Sequence, residues 1–160
     1  MSLAACTTTG GGAAATWTPP FCTVVAADTS DFSYLSCPRC DAALPDGAAS
    51  CFACGGHPTR VYRLHLSVAT HDRVVPVVLF DRAARSLMGC SADELVRIFA
   101  AHPSAARAAA EALRGEMCRM VLRAPRKGTA GERIRAVSVV PLRDRFRPVV
   151  ETLRAMYPRG

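Results

Sequence analysis

With 160 residues, 50% of them hydrophobic, the chain has material for one domain of ordinary size, a real core and short extensions. Lys+Arg 20 against Asp+Glu 13 leaves a formal net charge of +7, a surplus that suits a polyanionic partner. No apolar run approaches the length of a bilayer-spanning helix, and the absence of any basic residue before Arg39 leaves no n-region for a secretory signal.

Residues 1–20 are rich in Thr, Gly and Ala and are predicted as a flexible tail, with Trp17 docking locally. Phe21, Thr23 and Val25 alternate with Cys22, Val24 and Ala26, which predicts a strand over 21–27. Asp28 to Asp31 is polar turn material, and Phe32 to Leu35 forms a second extended piece.

That piece runs into Cys37-Pro38-Arg39-Cys40, which is followed by Cys51-Phe52-Ala53-Cys54-Gly55-Gly56. Two Cys-x-x-Cys pairs at this separation supply four thiolates with the spacing of a closed tetrahedral zinc site. Pro45-Asp46-Gly47 provides the turn that lets the pairs meet. Disulfides or a redox Cys-x-x-Cys are the competing readings, and both are less specific than paired knuckles. Cys37, Cys40, Cys51 and Cys54 are therefore the predicted ligands of one structural zinc, with His57 a weaker substitute. Four protein ligands leave no position for water, so the metal is expected to build structure and do no catalysis. Cys6, Cys22, Cys90 and Cys118 are scattered without a secreted-scaffold pattern, which points to an intracellular, reducing setting.

Tyr62, Leu64, Leu66 and Val68 alternate with Arg63, His65 and Ser67, predicting a half-buried strand over 61–69. A polar turn then leads to a second strand, 74–80, in which Pro76 argues for an edge or a bulge. Asp81 is expected to cap a short helix ending at Gly89. Ser91 and Glu94 make a capping box for a helix burying Leu95, Ile98 and Phe99. Pro103 and Ser104 open an Ala-rich third helix, with Arg107 and Glu111 at i,i+4. Two strands follow. Residues 117–123 place Cys118, Met120 and Leu122 on one face, and 133–140 place Ile134, Ala136 and Ser138 on one face. Between them lies a loop that reads as mobile, and 117–135 holds six positive residues and one negative. Pro148 starts a terminal helix whose apolar stripe is Val149, Val150, Leu153, Met156 and Tyr157.

This order is that of a mainly β, α+β fold: a five-stranded OB-fold barrel with a zinc ribbon inserted between early strands, helices between late strands and a C-terminal helix. The expected division is a disordered tail at 1–20, the OB-fold domain at 21–142 with its ribbon at 37–54, and the terminal helix at 143–160. From about Phe21 to Tyr157 the chain resembles the C-terminal DNA-binding domain family of the replication protein A large subunit. The resemblance rests on Phe32-Ser33-Tyr34-Leu35-Ser36-Cys37-Pro38, the second knuckle, Tyr62 to Val68, Val78-Leu79-Phe80-Asp81 and Ser86 to Leu95. Within that superfamily it is also similar to the N-terminal domains of DNA damage-induced apoptosis suppressors and the C-terminal domains of shieldin's DNA-binding subunits.

The resemblance implies non-catalytic binding of single-stranded DNA in damage response, repair or replication, a nuclear setting (cytoplasmic as the alternative), zinc as a structural cofactor, and a protein partner at the terminal helix. OB-folds accept both nucleic acids, which leaves RNA open, and no membrane partner is expected. Single strands need a positive groove and aromatic faces for the bases. The charge candidates are Arg39, Arg63, Arg119, Arg123, Arg126, Lys127, Arg133 and Arg135, and the stacking candidates are Phe32, Tyr34 and Phe52. Against this, the β-sheet arginines also read as a solvated face, and Phe32 and Tyr34 as packing against the ribbon. Only ten aromatics exist, which makes a thin platform. The alternative is a protein-interaction module that docks a partner through the barrel and the stripe Val149, Val150, Leu153, Met156, Tyr157. An enzyme is not expected: no His-x-Glu, Gly-x-Ser-x-Gly or phosphate-binding loop occurs.

Overall fold

The computed structural model describes residues 6–7, 15–125 and 133–158. In chain order its elements are β1 (Cys6–Thr7), β2 (Thr16–Trp17), β3 (Cys22–Asp28), β4 (Ser33–Ser36), β5 (Ala43–Leu44), β6 (Thr59–Ala69), β7 (Val74–Phe80), α1 (Asp81–Met88), α2 (Ala92–Ala101), α3 (Ala105–Leu113), β8 (Met117–Arg123), β9 (Ile134–Pro141) and α4 (Val149–Met156). The class is mixed α+β and strand-rich.

Strand pairing runs in a circuit. β3 pairs β6, β6 pairs β7, β7 pairs β9, β9 pairs β8, and β8 returns to β3. All are antiparallel except β7–β9, which is parallel. The residues on the inner side are those the period-2 patterns select: Cys22 and Val24, then Tyr62, Leu64, Leu66 and Val68, then Val75, Val77 and Leu79, and Cys118, Met120 and Leu122 are all buried. α1 to α3 fill the interval between β7 and β8, and Ala84, Leu87, Met88, Leu95, Ala109 and Leu113 join the same core.

Four local expectations are corrected. Residues 1–20 are not all tail: Thr16 and Trp17 pair with Arg123 and Leu122, and Cys6–Thr7 pairs with β2, whereas 1–5 and 8–14 lie outside the described residues. Asp81 does not cap α1. Phe80 holds the cap position, and the Asp81 carboxylate instead accepts the Tyr62 N–H at 3.3 Å and pairs with Arg85 at 3.4 Å. Ser138 is exposed and Val139 buried, because the pairing shifts between Val121↔Ser138 and Leu122↔Ala136, leaving Val137 as a bulge that reverses the alternation. Finally, Val149, Val150 and Leu153 of the supposed docking stripe are buried in the chain's own core. Only Met156 on that stripe is well exposed, at 54%. Tyr157 stacks on His102 at 4.6 Å and shares a 2.8 Å hydrogen bond with Ser104. The stripe closes its own domain.

Pro76 falls where sequence logic puts it. It pairs with Ser67 of β6 but precedes Val77–Leu79, the stretch that bonds β9, so its missing N–H costs no ladder bond on that side. The Ser91 hydroxyl accepts the Glu94 N–H at 3.2 Å, as a capping box requires.

Candidate metal centre and nucleic-acid interface

The two cysteine pairs fold into the same knuckle. In the first, the Cys37 N–H donates to Ala42 O at 2.9 Å and the Asp41 N–H donates to Cys37 O at 2.8 Å; in the second, Cys51 N–H donates to Gly56 O at 2.9 Å and Gly55 N–H to Cys51 O at 2.8 Å. The fifth residue of each turn has positive φ: Asp41 at 59° and Gly55 at 72°. Glycine takes this region freely and aspartate tolerates it better than most side chains. The four Sγ atoms lie within 4.8 Å of one another, with Cys37–Cys54 at 3.3 Å and Cys40–Cys51 at 3.5 Å. Sulfurs around a tetrahedral zinc stand about 3.8 Å apart, from Zn–S of about 2.3 Å. The donor set therefore fits one such ion.

Backbone amides favour the thiolate at one sulfur of each pair, Cys37 and Cys51. Amides of Cys40 and Arg39 donate toward Cys37 and bring it down to about 6, and the Ala53 N–H points at Cys51 Sγ at 3.4 Å. A Cβ on Gly56 would meet Arg39 Cδ at 3.1 Å, Cys37 Sγ at 3.2 Å and Cys54 Sγ at 3.4 Å, so any larger residue there must push the arginine or the sulfurs aside. Leu35, Ala42, Leu44 and Ala48 pack around Cys37 and Cys51 as a small core apart from the main one. Arg60 of β6 fastens the ribbon, donating to Ser33 Oγ at 3.1 Å and pairing with Asp46 at 3.4 Å.

The nucleic-acid candidates separate into groups. Phe32 is core: it is 6% exposed, edge-on to Phe99 at 5.2 Å and near Tyr62 at 6.0 Å. Tyr34 stays on the surface, half-buried, with the Arg63 guanidinium 5.3 Å from its ring centre. Arg63 is the direct partner of Phe80 across β6–β7, Phe80 meets Tyr34 edge-to-face at 6.5 Å, and Arg135 lies 4.3 Å over the Phe80 ring. Tyr34, Arg63, Phe80 and Arg135 thus alternate ring and cation across β4, β6, β7 and β9. Arg123 faces Arg135 directly in the β8–β9 pair. Like charges in that position repel, and Arg123, Arg133 and Arg135 have no carboxylate partner among the described residues.

Phe80 and His65 escaped the sequence reading. Phe80 ends a run of apolar residues and reads as core, and only the register shows it on the outer face. His65 lies two residues from Arg63 on the outer face; burial first, then Arg133 and Arg63, lower its pKa. Arg63 Nε and His65 Nδ1 are buried atoms without a hydrogen-bond partner among the described residues. Arg119 is not part of this group. It pairs with Val140, four residues along β8 from Arg123, or about 13 Å at the usual strand rise. Arg39 and Phe52 are exposed on the knuckles, Phe52 at 78%. Arg126 and Lys127 lie outside the described residues.

No protein-family model and no curated protein matches the chain. Solved structures do. A chain of a replication protein A heterotrimer bound to single-stranded DNA superposes with a TM-score of 0.64 at 22% identity, covering 77% of this chain and 31% of that one. A chain of yeast replication protein A, also bound to single-stranded DNA, gives a TM-score of 0.66 at 18% identity, covering 94% of this chain and 87% of that one. The protein thus spans about a third of the first replication chain and most of the second. What the likeness establishes is an OB-type fold of the replication protein A kind.

Proposed function

We propose that the protein is a non-catalytic single-stranded DNA-binding module: a closed five-stranded OB barrel, made of β3, β6, β7, β9 and β8, carrying a zinc ribbon. The observation that carries this reading is the alternation of Tyr34, Arg63, Phe80 and Arg135 across adjacent strands. In an OB-fold the second and third barrel strands, with the loops after the first and fourth, form the ligand face. Arg63 and Phe80 sit on those two strands, β6 and β7. Tyr34 comes from the insertion after the first strand, and the loop after the fourth carries Arg126 and Lys127. Bases stack on Tyr34 and Phe80 at about 1–3 kcal/mol each, and phosphates occupy Arg63, Arg123, Arg133 and Arg135, relieving the repulsion of the facing Arg123–Arg135 pair. The zinc holds β4, and with it Tyr34, against β6.

A place in damage response, repair or replication, in the nucleus, follows from the likeness to replication protein A and rests on that alone. The alternative of a protein module docking through α4 loses its main support, since Val149, Val150 and Leu153 are buried. Fluorescence anisotropy with a labelled oligothymidylate at two salt concentrations tests the reading. With about four phosphates neutralised, the log–log salt slope is expected near −3. Absence of binding at low salt overturns it.

A further inference from the structure

The two arginines of the ladder differ in their electrical state. Arg135 has no carboxylate partner among the described residues, whereas Arg63 Nη2 donates to Asp31 Oδ2 at 3.4 Å. Asp31 comes from the turn between β3 and β4, and that turn is tied down along its length. The Asp28 carboxylate accepts the Ser30 N–H at 3.0 Å and the Ser30 hydroxyl at 2.6 Å. The buried Thr29 hydroxyl donates to Ala106 O of α3 at 2.7 Å. Phe32, whose ring belongs to the core, accepts the Arg63 N–H on its carbonyl at 2.7 Å. Backbone geometry therefore sets Asp31 beside Arg63, and its side chain is 75% exposed. Asp28 adds a second negative charge on the same border, directly opposite His65 in the β3–β6 pair.

Such a carboxylate could orient Arg63 or compete for it. Orientation is supplied elsewhere. Arg63 Nε is a buried atom and the guanidinium lies 5.3 Å from the Tyr34 ring centre, so packing holds the side chain along its stem and Asp31 touches only its tip. An exposed ion pair of this kind adds little stability. What it does is neutralise, in the free protein, the cation that stands between Tyr34 and Phe80.

We propose that Asp31 is a built-in competitor for phosphate at Arg63, a residue that sets how tightly the ladder holds a single strand. This rests on the single-strand reading and deepens it. An incoming phosphodiester must displace the carboxylate from the guanidinium, and because the turn is anchored, the displaced charge stays beside the phosphate and repels it. Asp28 and Asp31 together close this border of the face to a polyanion, while Arg123, Arg133 and Arg135 stand unpaired on the β8 and β9 side. The potential thus draws the strand from Arg63 and Phe80 toward β9 and β8, away from the β3–β4 turn.

The test is the anisotropy of labelled oligothymidylate titrated with the full chain. Asp31→Asn removes the charge and keeps the size and the acceptor oxygen. It is expected to tighten binding about threefold at low salt, a gain that shrinks as added salt screens it. Asp72→Asn is the control. It removes the same formal charge from the β6–β7 turn, beyond Ala69, which already lies about 20 Å along β6 from Arg63 at the usual strand rise. Its effect should stay within about 1.5-fold of wild type. Arg63→Gln should flatten the salt slope by about 0.7 and cut the gain from Asp31→Asn to the level of the control, since nothing is then left to compete for. Unchanged binding by Asp31→Asn, or a gain no larger than that of Asp72→Asn, overturns the proposal. So does weaker binding, which would make Asp31 the residue that positions Arg63, and so does a gain that survives Arg63→Gln in full. Those three results in a wild type that binds leave the single-strand reading intact. Absence of binding by wild type and Asp31→Asn alike sinks that reading and this proposal with it.

Discussion

The cysteine knuckles and the ring–cation ladder are both polar clusters of four principal side chains, yet they are assembled in opposite ways. All four sulfurs come from residues 37–54, and two near-identical backbone turns aim them. Tyr34, Arg63, Phe80 and Arg135 come from four strands separated by up to a hundred residues of chain, and only register brings them together. A site made by turns is fixed by local conformation. A site made by register is fixed by the whole fold, and it inherits every bulge and shift along the way. The two meet at β4, which leads from Tyr34 into Cys37 within three residues.

That junction gives the largest expected effect. Structural zinc in small domains is worth on the order of 10–16 kcal/mol of apparent binding, far more than the ribbon core of Leu35, Ala42, Leu44 and Ala48 supplies. Chelation, or Cys37→Ser, is expected to unfold residues 33–58 while the main core stays intact, since none of its buried side chains depends on the ribbon. Hydrogen exchange should show fast amides at 35–57 and protected ones in β6, β8 and β9. Uniform loss of protection would mean that the two regions fold as one. Single-strand affinity should fall about tenfold with the loss of the Tyr34 rung, by the worth of one stacked base.

Within the ladder, Phe80→Ala and Tyr34→Ala are expected to weaken oligothymidylate binding by roughly tenfold each without altering its salt slope. Arg123→Ala and Arg135→Ala should each flatten the slope by about 0.7. Removing either member of the facing pair should also stabilise the unbound protein slightly, read as a raised thermal midpoint, because the repulsion across β8–β9 disappears. A lowered midpoint for both would show that the arginines hold the sheet together, a structural role in place of a binding one.

What the sequence disclosed follows from the same contrast. Spacing alone named Cys37, Cys40, Cys51 and Cys54, because a tetrahedral ion demands that pattern within a short stretch. Alternation named the inward faces of β6 and β8 residue by residue, since period 2 is a property of each strand by itself. The ladder was half legible. Tyr34, Arg63 and Arg135 stand out by type, but Phe80 closes an apolar run, and Phe32 and Tyr34 read alike, as stacking faces or as packing against the ribbon. Nothing in either local pattern says that Phe32 turns in against Phe99 while Phe80 faces out against Arg135. Arg119 reads like Arg123 because both alternate outward on β8, yet a position along a strand is invisible until its partner is known. The terminal stripe illustrates the remaining ambiguity: an apolar helix face has the same pattern whether it closes its own domain or awaits another.

The knuckle can be probed at finer grain. Gly56→Ala forces a methyl group to within 3.1–3.4 Å of Arg39 and two sulfurs, and overpacking of this kind costs about 1–3 kcal/mol. It should weaken metal retention against a chelator while leaving the barrel untouched. Asp41→Gly is the counter-test. Both knuckles place their fifth residue at positive φ, and Asp41 fills the position that glycine takes in the second. The substitution should therefore be neutral or mildly favourable for metal retention, even though it removes a side chain from the ribbon. A clear loss would show that the Asp41 carboxylate, and not its backbone, is what the first turn requires.

The smallest expected effect belongs to His65, where the ladder departs from ordinary surface chemistry. Burial and the nearby Arg133 and Arg63 favour its neutral form in the folded protein, so its pKa lies below the usual 6.5. A histidine lowered in this way adds stability that is present above the unfolded value and is lost as pH falls below about 6.5, through the folded value. A phosphate seated on Arg63 acts in the other direction, because it screens the cations and favours the imidazolium. Binding of a single strand should then take up a fraction of a proton, and affinity should rise modestly from pH 7 to pH 6 while the thermal midpoint of the free protein falls. His65→Gln is expected to remove both trends and to leave the salt slope at pH 7 unchanged. If the pH dependence of affinity survives that substitution, the proton is taken up elsewhere, and the buried, unpartnered Nδ1 of His65 has no part in holding the strand.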